Sequence, residues 1–493
     1  MNTQSFHSVQ PRQKKILNTG YSQPFEPNVK PTIGLLHSSD VLTDFLDSLN
    51  ITLETFCQDF VESWIFGYVD ALNRVGVRTV LFCISLRVDK PSYFIHQATG
   101  TRICLLPPWP IYRAYRRIAV KGLQSSGGAE GKNCKEIQNR NSLRHALLNP
   151  LKTMAKSVGS YLSTPWGLLA QELRRENCQA ILCQEYEYAR FDSSVLLGKW
   201  MGLPTFATFQ GGDRTKSWIE VPGRYLAMHC CNGAIVGNPT EFQRIRDRYW
   251  IPRSKIARIF NPLEVAAWQG TDRTEARGAL GIPLDAEVAV WHGRVELDPQ
   301  GLDLLLAAWQ QVCHDRPDRD LRLLILGPVH NPKAFQQRMD RMPLRGVIWF
   351  NQLIRDRAVI KQYLGASDVY AFPSGQEGFP VAPVEAMCCG LPVVATDVPG
   401  IPDILEHGED SGGIVVPRGD VSAFAIALGR LLDDRPWSEK IGCRARSRAE
   451  RCFSPETIGK QLRDVLLPHA VQPRSVGSRC ENHLARRGGI PGD

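Results

Sequence analysis

At 493 residues, 43% hydrophobic and 22% charged, the chain has the make-up of an ordinary globular protein, with room for two α/β domains that each bury a core. No run approaches the ~20 consecutive apolar residues that cross a bilayer, which argues against a membrane-spanning helix. Fourteen cysteines lie scattered, with adjacent pairs at Cys230-Cys231 and Cys388-Cys389 but no CxxC pairing that would frame zinc; most sit within apolar runs and read as small buried hydrophobes in a reducing compartment.

Residues 1–30 carry Pro, Gln and Asn without periodicity and read as a flexible arm. Met1 to Ser8 lacks the apolar centre of a signal peptide, and the expected location is cytoplasmic. The first strand is expected over Thr32–His37, leading into a loop with Ser38, Ser39 and Asp40. A helix follows over Phe60–Leu72 and a strand over Thr79–Ile84, a β-α-β rhythm.

The net charge of +9 is concentrated in residues 101–160, where eleven Lys or Arg face only Glu130 and Glu136. Apolar residues interleave with these charges around Trp109–Val120 and Leu143–Leu148. Such a stretch suits an anionic membrane surface, or is merely a solvated face. No nucleic-acid recognition module is legible, so no specific nucleic acid is expected. Residues 122–142, rich in Gly, Ser and Asn, read as an exposed insertion. Strands resume at Ala180–Cys183, Pro204–Phe209 and Gly233–Gly237, so the first domain, 31–262, is expected to be a parallel, alternating α/β unit.

The second half opens with a strand at Ala289–His292, followed by Gly293-Arg294, and an amphipathic helix begins at Gly301. Arg294 therefore falls at the carboxyl end of a strand, where open α/β sheets bind ligands. A further strand is expected at Gly346–Phe350. Ser367–Pro373 reads as another, ended by the loop Ser374-Gly375-Gln376-Glu377-Gly378-Phe379-Pro380-Val381. A helix opens at Ala382-Pro383, since proline suits the first turn, and Gly390 closes it. Two carboxylates, Glu377 in the loop and Glu385 on the helix, thus flank one strand end. The first suits sugar hydroxyls, the second a ribose diol, and the helix N-terminus between them an intervening diphosphate. An acidic loop beside a solvated helix glutamate is the plainer alternative.

The order of these motifs, with Gly390-Leu391-Pro392-Val393-Val394-Ala395-Thr396 and Val398–Asp403 behind them, resembles the C-terminal half of the retaining GT-B glycosyltransferases of the glycosyl transferase group 1 (family 4) type, over roughly residues 280 to 470. The resemblance implies two Rossmann-like β/α/β domains facing an interdomain cleft. Asn261–Glu264 resembles the end of the family's first domain, which sets a linker at 263–278, a nucleotide-sugar domain at 279–452, a crossover helix at 453–468 and a disordered tail at 469–493. It implies Glu377 and Arg294 as catalytic groups. Glu385, Gly378, Phe379, Pro380, Val381, Gln300, Gly293 and Leu353 would contact the donor. Gln300 stands where the family carries a lysine, so one cation is missing from the diphosphate site, and Gln210 replaces a familial histidine. His37, Ser38, Gln184, Glu185, Gln210 and Gly211 are candidates for the acceptor or sugar side, although a structural role is the favoured reading of His37.

The implied reaction is transfer of a sugar from a nucleotide-diphosphate sugar to a saccharide or lipid-linked acceptor, with retention, in cell-surface polysaccharide or glycolipid synthesis. No metal and no cofactor are expected, and any membrane contact would be peripheral, on the inner face of the cytoplasmic membrane. The alternative is a degenerate member that binds nucleotide sugar or partners without efficient catalysis.

Overall fold

Runs such as Leu81–Cys83 and Ala180–Cys183 are apolar on both faces, and a strand of that kind is stable only when helices cover both sides of its sheet. The computed structural model of the chain bears this out. It describes residues 30–47, 51–58, 60, 63–113, 116, 159–209, 220–293, 301–328, 332–342, 344–352, 354, 356–375 and 379–468. Residues 1–29, the insertion expected about 122–142 and the tail 469–493 lie outside the described residues.

Eight strands form a first sheet: β1 (Thr32–Asp40), β2 (Arg78–Ile84), β3 (Ser92–Ile95), β4 (Arg102–Leu106), β5 (Cys178–Cys183), β6 (Thr205–Thr208), β7 (Gly233–Val236) and β8 (Ile256–Arg258). Their order is β3-β4-β2-β1-β5-β6-β7-β8. Six more form the second: β9 (Glu287–His292), β10 (Leu321–Leu326), β11 (Val347–Phe350), β12 (Val369–Phe372), β13 (Val393–Thr396) and β14 (Gly413–Val416), in the order β11-β10-β9-β12-β13-β14. Each strand feeds one core per face: Leu81 and Cys83 enter one cluster while Val80 and Phe82 enter the other, and Val288 and Val290 divide from Ala289 and Trp291 in the same way.

One expectation is corrected. The first sheet is not wholly parallel, because β3 runs antiparallel to β4, with Ser92 opposite Leu105 and Ile95 opposite Arg102. Residues 96–101, closed by His96 N–H donating to the Thr101 carbonyl at 2.8 Å, are too few for the crossover that parallel strands need. β1 also runs further than expected, taking in Ser38, Ser39 and Asp40. Asp40 caps the turn that follows, accepting from Leu42 N–H at 3.0 Å and Thr43 N–H at 3.1 Å.

The segment read as a linker carries a short 3-10 turn at Val265–Trp268 and the helix Arg273–Leu280, which is pinned to the second sheet through Arg277 and Asp368 at 2.8 Å. The last helix, Pro455–Leu466, starts on an N-cap, Ser454, with proline in its first turn. It returns to the first sheet, where Ile458, Leu462 and Leu466 join the core beside Val69 and Leu72. Burying each such side chain is worth roughly 1.5–3 kcal/mol. The contact is close: a Cβ on Gly459 would lie 2.0 Å from the Ala71 carbonyl oxygen, so the crossing with the helix Tyr68–Arg74 requires glycine. Arg74 on that helix pairs with Asp70, Glu264 and Glu456, tying three segments together.

Candidate active site

Strand order locates the crevices. In the second sheet the chain winds outward from β9 in one direction through β10 to β11, and in the other from β12 to β14. The switch point lies between β9 and β12, where connecting loops leave in opposite directions, the place at which open α/β sheets bind ligands. In the first sheet the same reversal falls between β1 and β5.

At the switch point of the second sheet, β9 ends on His292 and the helix Ala382–Cys388 follows β12. This helix forms where expected: Pro383 sits in its first turn, and Gly390, at φ +80°, closes it, with Gly390 N–H donating to the Met387 carbonyl and Leu391 N–H to that of Ala386. Glu385 projects from the helix and accepts a hydrogen bond from His292 Nε2 at 2.8 Å. His292 is 7% exposed, and its ring lies edge-on to Tyr370 of β12, 5.4 Å between centroids.

Glycines shape the floor beside this pair. Gly293 has φ +153°, and a Cβ on Gly327 would lie 1.7 Å from the Gly293 carbonyl oxygen. Gly301, at φ +67°, starts the helix Leu302–Asp315, and a Cβ there would fall 1.9 Å from the Pro373 carbonyl oxygen. Glycine at 301 therefore has a steric reason, for the helix start abuts the end of β12. Arg294, Gln300, Leu353, Glu377 and Gly378 lie outside the described residues.

Phe379, on the loop after β12, packs against the other half of the molecule. Phe379 stacks on Phe260 at 5.4 Å, lies 6.1 Å from Phe453, and has Gly237, just after β7, against its ring. Pro380 is buried and Val381 half-buried. The loop after β12 thus meets the loop after β7, so the carboxyl ends of the two sheets approach each other at this corner. Arg258 at the end of β8 also reaches Asp403 of the second half at 3.4 Å.

On the first sheet, His37 and Ser38 lie in β1, and Gln184 and Glu185 directly follow β5, so these four flank that sheet's switch point. Gln184 N–H donates to the Leu36 carbonyl at 3.0 Å, and Glu185 accepts from Glu187 N–H at 3.2 Å. His37 is 1% exposed, with Nδ1 against Ser39; burial depresses its pKa to about 4, so it is neutral at pH 7. Gln210 and Gly211 lie outside the described residues.

Three groups here escaped the sequence reading. Arg190 is buried and donates to the His37 and Ser39 carbonyls at 2.7 and 2.6 Å, which ties down the end of β1. Arg244 bridges Tyr186 at 2.9 Å, Glu187 at 3.3 Å and Glu241 at 2.6 Å. His292 was visible only as the last residue of a strand. No spacing rule pairs any of these residues with its partner.

The described part of the basic stretch is largely satisfied internally: Arg102 pairs with Glu176, Arg113 with Asp89 and Arg116 with Asp44. Among the described residues no helix is long and apolar enough to cross a membrane. Seven of the described cysteines are buried, and burial pushes thiols such as Cys183 up to about 12.

Two sheets of this composition and order, meeting at their carboxyl ends and joined by a returning last helix, have the GT-B glycosyltransferase architecture. The structure of Anabaena HepE in complex with UDP is similar at a TM-score of 0.60 and 16% identity, covering 88% of this chain and 99% of that one. Sucrose-phosphate synthase from Thermosynechococcus elongatus is similar at a TM-score of 0.54 and 18% identity, over 88% and 97%. Within this fold, residues 286–434 match the family described as glycosyl transferases group 1. D-inositol 3-phosphate glycosyltransferase of Kineococcus radiotolerans is 28% identical over 258 residues, 50% of this chain and 59% of that protein. The lipopolysaccharide core biosynthesis mannosyltransferase LpsB of Rhizobium meliloti is 28% identical over 193 residues, 39% and 54% of the two chains. The chain spans about half the length of the curated relatives it matches.

Proposed function

We propose that the protein transfers a sugar from a nucleotide-diphosphate sugar to a saccharide or lipid-linked acceptor, with retention of configuration and without a metal ion, in the synthesis of cell-surface polysaccharide or glycolipid. The observation that carries this reading is the placement of Glu385 at the switch point of the second sheet, held by His292, in the stretch that matches glycosyl transferases group 1. The names of the matched relatives and the UDP bound to Anabaena HepE support the substrate class.

In this reading Glu385 accepts from the ribose hydroxyls of the donor. Glu377 holds the sugar hydroxyls in register, and Arg294, with Gln300 as a neutral donor, faces the diphosphate. Gly293 lets the backbone approach it closely. The bond between the anomeric carbon and the diphosphate oxygen breaks through an oxocarbenium-like state. The acceptor oxygen then bonds on the same face, and its proton passes to the departing diphosphate oxygen. Stabilising the departing diphosphate is where charge matters most, and loss of one such group typically costs about 2.7–4 kcal/mol. The acceptor side falls to His37, Ser38, Gln184, Glu185, Gln210 and Gly211 around the first sheet's switch point.

Replacing Glu377 by alanine is expected to lower transfer at least a hundredfold, measured as nucleotide release with a matching acceptor, while the melting temperature stays within a few degrees of wild type. Unchanged turnover would refute the assignment. Excess EDTA is expected to leave the rate within twofold, and an EDTA-sensitive rate restored by a divalent ion would sink metal independence. Melting shifts with UDP-, GDP- and ADP-sugars identify the donor, since a ligand at 100 times its Kd adds about 2.7 kcal/mol to the folded state. Binding without turnover across acceptors would favour the degenerate reading.

A further inference from the structure

We infer that His292 is a positioning residue for nucleotide recognition: it locks the Glu385 carboxylate in the orientation that receives the ribose diol of a nucleoside diphosphate. The inference rests on the ribose role proposed for Glu385. The histidine is the last residue of β9, in register with Leu326 of β10, so its backbone is fixed by the sheet. Its carbonyl accepts from the Tyr370 hydroxyl at 3.3 Å, and the Tyr370 ring packs against the imidazole edge. The imidazole therefore has little freedom to turn. Glu385, by contrast, is a long side chain on a seven-residue helix, 19% exposed, and among the described residues its carboxylate has no side-chain partner except His292.

A carboxylate only accepts, so the 2.8 Å bond places a proton on His292 Nε2 and occupies Glu385 Oε2. Oε1 is left to accept from a ligand. Nδ1 is buried without a hydrogen-bond partner among the described residues, so on this side chain Nε2 makes the polar contact that the described part of the fold provides. Fixing Glu385 before the ligand arrives removes rotamer entropy that binding would otherwise lose. The partnership also lies at the strand reversal where the ligand crevice is expected, not in the body of the core.

The test is calorimetric. Whichever of UDP, GDP and ADP binds wild type most tightly is titrated into His292→Phe, His292→Leu and His292→Gln, alongside its 2′,3′-dideoxy counterpart. Phe and Leu fill the space without a donor, and should one of them fail to fold the other serves. Gln restores an N–H near the place of Nε2. The expected result is a loss of roughly tenfold in affinity for the ribonucleotide in the donor-less variants, the size of one hydrogen bond to a charged group. Affinity for the dideoxy nucleotide should stay within twofold of wild type, and Gln should recover most of the loss. Equal weakening of both nucleotides, or no recovery with Gln, overturns the inference and leaves His292 a packing residue. Glu385→Ala separates the two layers. If that variant loses ribonucleotide affinity while the donor-less His292 variants do not, only the positioning role fails. If Glu385→Ala binds both nucleotides as wild type does, or if no nucleotide binds wild type at all, the ribose role fails and this inference with it.

Discussion

Glu385 and His292 stand 93 residues apart in the chain and 2.8 Å apart in space. One was legible in the sequence and the other was not. Glu385 lies eight residues beyond Glu377, just inside a proline-started helix, and local spacing carries that signal. A histidine ending a strand carries none, since its partner depends on which strand lies next to it. His37 makes the same point about environment. Its burial lowers the pKa from the ordinary 6.5 to about 4, so below pH 6.5 the unfolded chain binds a proton that the folded protein refuses. Its neutral form stabilises the fold fully above that pH, and the contribution drains away as pH falls toward 4. Comparing wild type with His37→Gln by urea denaturation, the gap between them is expected to shift by about 2 kcal/mol between pH 7.5 and pH 5, the variant being the less acid-sensitive. A gap independent of pH would mean that His37 is not neutral in the fold.

Among elements, continuous apolar runs marked most of the parallel strands to within a residue or two, because a strand buried on both faces needs nothing else to declare itself. β4, β8, β10 and β14 went unread, and so did β3: Ser92–Ile95 is short, half-exposed and without alternation, so it is a strand only because β4 lies beside it. Glycines show how far local conformation goes toward explaining an element's ends. Gly202 and Gly301 have nearly equal φ, +71° and +67°, but a Cβ at Gly202 meets open space while one at Gly301 meets the Pro373 carbonyl oxygen at 1.9 Å. Gly202→Ala should therefore cost only the backbone strain, about 1 kcal/mol. Gly301→Ala should cost clearly more, ~2–4 kcal/mol, since the helix Leu302–Asp315 must move away from β12. Equal losses in the two variants would show that the close approach at Gly301 is not maintained in solution.

At the scale of the molecule, the two sheets are held by the returning helix, by the Phe260, Phe379 and Phe453 rings, and by Arg258 with Asp403. That last contact is less favourable than its distance suggests. Burial raises the Asp403 pKa to about 6 despite the attraction of Arg258, because the carboxylate is 4% exposed while the guanidinium is half in water. With the folded pKa above the unfolded one, the contribution of Asp403 to stability is greatest below about pH 4 and is lost as pH rises through 6. Asp403→Asn should thus exceed wild type by on the order of 2–3 kcal/mol at pH 7.5, with the difference closing toward pH 4. A variant less stable than wild type at pH 7.5 would instead make the ion pair a net tie between the halves.

The sequence by itself determined the alternating α/β class, most of the buried strands and the helix that carries Glu385, because each is written in periodicity, turn chemistry and spacing within a few tens of residues, while the order of motifs was legible only through its resemblance to glycosyl transferases group 1. Only the tertiary structure decided which strands are neighbours, and with them the switch points, the bond between His292 and Glu385, Arg190 beneath the end of β1, and Phe379 lodged against Gly237. Those follow from how two sheets are ordered and brought together, and contacts between segments many residues apart leave no period in a single chain for a reader to find.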